Sequence, residues 1–334
     1  MRVFKQTNKQ IDMKNKLLAV LATLSMVASA SAVKVNDNLS INGFIDGSYA
    51  SSDDGTANGK TQSLEIDEVE INFVTNVGNV SGLIAVDANP NADYDSNPIS
   101  SDTENLGIEQ AHFTYNINDA VSVTFGRYGS ALGLEREDPA GLYTYSRAYS
   151  TNAFNLGDVD SNAVDGLTLA YTGDAYSVAV SLENQVGAEH LLESNDLDFE
   201  ISFTYTGIEG LNIGGGFLVD NEATSAEETD VVNVNLSRQF GKLLVAGEYT
   251  ELSADAGDRD AYLVLADYDV NNKLGVALRI SSEELTGNNG DYDKVTIAPN
   301  YAITESLGAI LEYSDVDNGG TDSEEYAVEL TYTF

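Results

Sequence analysis

Asp196-Leu197-Asp198-Phe199-Glu200-Ile201-Ser202-Phe203-Thr204-Tyr205 separates into two alternating sets of residues. Leu197, Phe199, Ile201, Phe203 and Tyr205 are apolar or aromatic, and Asp198, Glu200, Ser202 and Thr204 between them are acidic or hydroxylic. Successive side chains of an extended chain point to opposite sides, so this segment is a strand with one greasy and one wet face. The last stretch repeats the division, with Tyr326, Val328, Leu330, Tyr332 and Phe334 against Glu325, Ala327, Glu329, Thr331 and Thr333. Tyr262, Val264, Ala266 and Tyr268 oppose Asp267 and Asp269 in the same way. Leu274, Val276, Leu278 and Ile280 likewise oppose Gly275, Ala277, Arg279 and Ser281.

Working outward from these segments, period-two stretches fill the chain from about residue 38 to its end, about sixteen in all, and none has a helical period. An even count is what a closed up-and-down barrel of a single bacterial chain requires. The connections alternate in length. Short turns such as Val77-Gly78-Asn79 and Phe240-Gly241-Lys242 are followed by long polar stretches near 50–62, 88–106, 128–163, 184–195, 220–229, 251–259, 282–292 and 314–323. Membrane barrels have this rhythm of brief inner turns and extended outer loops, whereas a soluble sandwich has no need of it. Tyr115, Tyr171, Tyr205, Phe240, Tyr268, Tyr301 and Phe334 fall at strand ends beside the short turns, where an interfacial aromatic girdle belongs. Charges on the presumed lipid face keep to strand ends, as with Glu65, Asp67, Arg127, Arg238 and Glu251. The expected fold is therefore an all-β, transmembrane, antiparallel up-and-down barrel.

Met13-Lys14-Asn15-Lys16 forms a basic start to the apolar stretch Leu17 to Val27, and Ala30-Ser31-Ala32 supplies the small residues of a cleavage site. The apolar stretch is too short for a permanent membrane helix, so residues 1–32 are read as an N-terminal extension plus cleaved signal peptide, and 33–334 as the barrel domain. Cysteine is absent, which excludes disulfides, thiolate metal sites and thiol nucleophiles. A formal net charge of -38 argues against nucleic acid, because phosphate binding relies on Lys and Arg to release counterions. No glycine-rich phosphate cradle leads from a strand into a helix, and no cofactor is expected.

Ile41-Asn42-Gly43-Phe44-Ile45-Asp46-Gly47-Ser48-Tyr49, Phe125-Gly126-Arg127-Tyr128-Gly129-Ser130-Ala131-Leu132-Gly133-Leu134-Glu135 with Tyr145-Ser146-Arg147, and the terminal Tyr332-Thr333-Phe334 together resemble the Gram-negative outer-membrane porin superfamily. Within it, the stretch from Phe125 is similar to OmpL-like β-barrel porins. The resemblance implies a water-filled channel for passive diffusion of small hydrophilic solutes and ions in the outer membrane. It also implies that the third external loop, 128–163, folds inward and narrows the pore. Arg127, Glu135, Arg136, Glu137, Asp138, Arg147, Asp158 and Asp160 would then stand at a constriction. Unlike the trimeric general porins, this loop lacks a dense arginine row.

Wall positions on the wet faces are Glu68, Glu70, His112, Asp198, Glu200, Glu248, Asp267, Glu312 and Glu329, with Arg279 as the clear basic partner, and this acidic excess implies a preference for cations. The resemblance makes Tyr332 and Phe334 the signal read by the barrel-assembly machinery. The other expected partners are outer-membrane lipid, small solutes and ions, with a homotrimer left open. Two other functions stay in view, an adhesive or structural barrel and a barrel hydrolase. For the hydrolase the histidines are sparse material: His112 faces inward, and His190 lies in an external loop beside Glu189. Asp315 and Asp317 place hard oxygens at alternate positions and are the metal candidates, though a solvated turn is the preferred reading and no metal is expected.

Overall fold

The structure, a computed structural model, describes residues 32–56, 59–88, 107–136, 138–150, 154, 163–185, 197–219, 229–254, 257–285 and 291–334. A short strand, β1 (Val33–Asn36), precedes β2 (Leu39–Asp53), β3 (Lys60–Val77), β4 (Val80–Ala88), β5 (Gly107–Asn116) and β6 (Val121–Gly129). There follow β7 (Ala163–Thr172), β8 (Tyr176–Gln185), β9 (Asp198–Ile208), β10 (Leu211–Val219), β11 (Thr229–Phe240) and β12 (Leu243–Ala254). The last five are β13 (Arg259–Asp269), β14 (Leu274–Leu285), β15 (Tyr292–Ala302), β16 (Leu307–Asn318) and β17 (Asp322–Thr333). Among the described residues no helix is long and apolar enough to cross a membrane.

Strands β2 to β17 each pair antiparallel with their sequence neighbours, and β17 pairs with β2, which closes a 16-stranded barrel. At the seam, Phe334 and Gly43 exchange backbone hydrogen bonds of 3.0 Å in both directions. Closure satisfies the ladder groups of every strand, which in hydrocarbon would cost several kcal/mol each if left open. β1 lies against the start of β2, Val33 opposite Ile41, on the same side as the end of β17. The sequence had not suggested β1.

Burial runs opposite to that of a soluble protein. Phe125, Leu169, Val234, Leu278, Ile280 and Leu311 are exposed on the outer face, whereas Glu70, Thr124, Glu200, Thr296, Ser314 and Glu329 are buried within. Water-soluble folds rarely bury acids and expose a continuous apolar belt, whereas a membrane barrel sets an apolar band against lipid and keeps a polar interior. Tyr115, Tyr171, Phe240, Tyr268, Tyr301 and Tyr332 are exposed at the short-turn end of this belt. Tyr49, Tyr249, Tyr262 and Tyr326 form a second exposed set toward the other end. Arg238 lies 5.2 Å over the Phe240 ring and Lys273 lies 5.8 Å from the Tyr301 centroid, both cations at the girdle level.

Two expectations need correction. Glu65 and Asp67 were expected on the lipid face, but the β2–β3 register shifts between Asp46 and Gly47, so Glu68 pairs with Asp46 while Ile66 pairs with Gly47. Asp67 is the extra residue of a bulge, and beyond it Leu64 and Ile66 take the outside while Glu65 stands beside the buried Ser48. The long polar stretches near 50–62 and 314–323 are also mostly strand, since β2 reaches Asp53, β16 reaches Asn318 and β17 starts at Asp322. Where both faces are wet the apolar alternation disappears although the ladder continues. Asp315 and Asp317, expected in a loop, consequently sit exposed on β16, and Asp317 accepts a 2.9 Å bond from Gly320 N.

Candidate functional site

Inward positions of the strands supply a polar wall, and the connection between β6 and β7 supplies what crosses the lumen. Its first residues bind β9: Ser130 Oγ donates to Glu200, and Ala131 N donates to Glu200 Oε1 at 3.1 Å. Gly133 N then reaches Asn233 of β11 at 3.3 Å. Leu132 packs over Gly216 of β10, where an added Cβ would lie 2.1 Å from the Ile201 carbonyl oxygen and 2.6 Å from the Leu132 side chain, so both the strand pairing and the loop come close to the bare backbone there. Leu132, Ala148, Tyr149 and Phe154 complete an apolar cluster with Ala246, Leu252, Leu263, Leu265 and Ala277 of the inner wall. That patch lies on the lumen side, where the alternation of β13 places Leu263 and Leu265 opposite the exposed Tyr262 and Val264.

The polar centre of the dock is Arg279 of β14, whose side chain is fully buried. Its Nη1 bonds Glu135 Oε1 at 2.6 Å, Thr144 Oγ1 at 2.7 Å and the Ser146 carbonyl at 2.7 Å. Nη2 donates to the Arg147 carbonyl at 2.9 Å. Glu135 also accepts from Ala148 N at 2.8 Å, and its carbonyl takes Arg147 Nη1 at 2.6 Å. On either side, Glu312 of β16 receives Ser146 N at 3.2 Å, Ser281 Oγ donates to the Ala148 carbonyl at 2.7 Å, and Glu283 receives Ser150 N. Tyr149 Oη donates to Glu248 at 3.3 Å, and Ser48 of β2 donates to Tyr145 Oη at 3.0 Å. Burial, and then the nearby Glu248 and Glu135 carboxylates, push the Tyr149 phenol far above its ordinary value. Burial also raises that of Tyr145.

On the opposite wall the inward row is acidic. Asp46, Glu68, Glu70, Glu183, Asp198 and Glu329 are all buried there or at its margins. Where β3 and β5 meet the loop, Glu70, Glu109 and Asp138 bring carboxylate oxygens within 4.8 Å of one another. At the mouth, a cavity of about 280 Å³ is lined by Ser51, Gln62, Tyr145, Ser146, Glu312 and Glu325.

A sequence profile described as Gram-negative porin matches residues 18–333. The chain belongs to the Gram-negative porin family. No curated protein matches it. Among solved structures the porin superposes on Salmonella typhi OmpF, in complex with daunomycin, with a TM-score of 0.68 at 14% identity, covering 91% of this chain and 100% of that one. The Acinetobacter baumannii outer-membrane channel DcaP gives 0.64 at 16%, covering 90% and 99%, and Vibrio cholerae OmpT gives 0.58 at 15%, covering 91% and 100%. At such identities the likeness is one of fold. The porin resides in the outer membrane.

Against the expected site residues, the porin brings Glu135, Arg147 and Arg279 together, with Arg136 donating to the Ala131 carbonyl at 2.7 Å. Glu68, Glu70, Asp198, Glu200, Glu248, Glu312 and Glu329 are inward and buried. His112 is inward with its ring edge-on to Tyr128 at 6.3 Å, and Asp267 accepts from Asn300 at 3.5 Å. Arg127 is not at the constriction. It lies on the outer face, opposite Asp165 in register and bonded to it at 3.1 Å, because the inward positions of β6 are Thr124 and Tyr128. Glu137, Asp158, Asp160 and His190 lie outside the described residues. Asp46, Glu183, Glu283 and Lys294 were missed, although continuing the alternation from Ile45, Leu182, Ile280 and Val295 would have flagged each one.

Proposed function

We propose that this porin is a passive, water-filled channel that prefers cations and carries small hydrophilic solutes. The observation that supports the reading is how the two signs of charge are distributed over the inner wall. Arg279 is consumed by Glu135 and loop carbonyls, Lys294 is bonded to Glu325 at 2.9 Å, and Arg259, opposite Leu252 at the outer end of β13, is a further inward base. Inward carboxylates are far more numerous, with Asp46, Glu68, Asp198, Asp267 and Glu312 among them, and a confined wall with more carboxylates than bases raises the local concentration of cations. The inward loop would set the width of the passage, with Glu135, Arg136, Asp138 and Arg147 at its narrowest part.

The same proposal includes cleavage after Ala32, recognition of Tyr332 and Phe334 by the assembly machinery, kinship with OmpL-like porins, and a trimer as the assembled state. Reversal potentials in planar bilayers under a KCl gradient test the transport reading. The expected result is stable open steps with a cation-selective sign that weakens as salt rises, since the Debye length falls from about 30 Å at 0.01 M to about 3 Å at 1 M. An anion-selective sign would reject the wall assignment, and absence of steps would favour an adhesive or structural barrel.

A further inference from the structure

We propose that Glu70, Glu109 and Asp138 hold a calcium ion that ties the inward loop to the β3–β5 side of the wall. The three come from β3, from β5 on the far side of β4, and from the loop, and each is buried, at 0%, 8% and 8% exposure. One oxygen from each lies within 4.8 Å of the others. Calcium takes oxygens at about 2.3–2.6 Å, so two ligands of one ion are at most about 5 Å apart. Glu109 owes its place to a bulge: Ala85 pairs with Gln110 and Val86 with Ile108, and the residue left over turns inward beside Gln110.

A second observation concerns acceptors that lack donors. Glu70 is wholly buried; its Oε1 takes the Asn72 amide, and its Oε2 has no hydrogen-bond partner among the described residues. Asn72 Oδ1, Asp87 Oδ1 and Gln110 Oε1 are in the same condition. Asp87 is the cross-strand partner of Glu70, while Asn72 and Gln110 flank Ala85 on either side. Buried oxygens of this kind are nearly always satisfied, and what this group calls for is positive charge. An all-oxygen set of carboxylates and amide carbonyls suits a hard cation, and the absence of imidazole or thiolate disfavours zinc or copper. Magnesium, which keeps its waters and demands a tight octahedron, suits a buried pocket of preset oxygens less well. The loop is bound to β9, β11, β12, β14 and β16 by direct hydrogen bonds. On the β3–β5 side the ion would supply the corresponding attachment.

The test is equilibrium binding of radiolabelled calcium to the purified, chelator-stripped porin in detergent, compared with Asp138→Asn, Glu70→Gln and the control Asp54→Asn in the β2–β3 connection. The expected result is saturable binding in which the first two variants each lose one equivalent and Asp54→Asn loses none. Calcium should also slow tryptic nicking at Arg136 and Arg147 in the parent and not in Asp138→Asn. Equal stoichiometry in parent and Asp138→Asn, or no saturable binding at all, overturns the proposal and leaves protons to neutralise the cluster. Asp138 is outside the strand ladders, so its variant decides the matter even if Glu70→Gln fails to assemble, and heat-modifiable gel mobility reports the fold of each.

Discussion

Arg279 has a fully buried side chain on β14, and its principal counter-charge, Glu135, stands 144 residues away in the chain. A buried ion pair contributes little against a well-packed apolar substitute, yet losing one partner leaves the other charge stranded, at about 3–5 kcal/mol. Arg279→Met should therefore loosen the loop, seen as faster tryptic cleavage at Arg136 and Arg147, while Glu135→Gln combined with Arg279→Met recovers much of the protection. If the double variant is cleaved as fast as the single, the pair is not what holds the loop. Tyr149 gives a second residue-scale test, because burial and the Glu248 and Glu135 carboxylates raise its phenol well above the usual range. A raised acid contributes stability that is complete below the unfolded value of about 10 and is lost as pH climbs through the folded one. Tyr149→Phe should leave the amplitude of the ultraviolet tyrosinate transition near pH 10 unchanged. A smaller amplitude in that variant would show that Tyr149 titrates normally and that its seat is wet.

Among the elements, strands with one face in lipid were legible because the solvent contrast across them writes a period of two into the sequence, as in β9 and β17. Legibility failed wherever that contrast failed. The outer ends of β2 and β16 carry polar residues on both faces, so they read as loop. The docking of the β6–β7 loop was expected from resemblance, but its partners were not legible, since Leu132 over Gly216 and Glu135 against Arg279 depend on a register that only the closed barrel defines. The bulge at Asp67 was hidden for a simpler reason: Glu65-Ile66-Asp67-Glu68-Val69-Glu70 alternates well in either of two phases. Deleting Asp67 should be tolerated, because removing the bulge leaves Glu68 and Glu65 inward and Ile66 and Leu64 outward. Deleting Val69 instead puts the Glu68 carboxylate on lipid and should abolish most heat-modifiable barrel. Equal yields from the two deletions would mean that the register is not as described.

For the whole molecule, every strand is stable only if the ring closes, and the ring closes where the chain's last residue meets its first long strand. Phe334 contributes in two separable ways. Its backbone exchanges two bonds of 3.0 Å with Gly43, which any residue could make. Its ring lies 6.1 Å from that of Tyr332 on the outer edge of the short-turn girdle, which only an aromatic can do. If the terminal ring is a recognition signal, Phe334→Ala should lower the yield of folded barrel in the outer membrane several-fold, yet refold from urea into detergent micelles as well as the parent, because no assembly machinery acts there. A parallel loss in micelles would place the effect in the seam itself, where the ring would be packing rather than address. The two locations predict the same cellular defect, so the micelle experiment is the one that separates them.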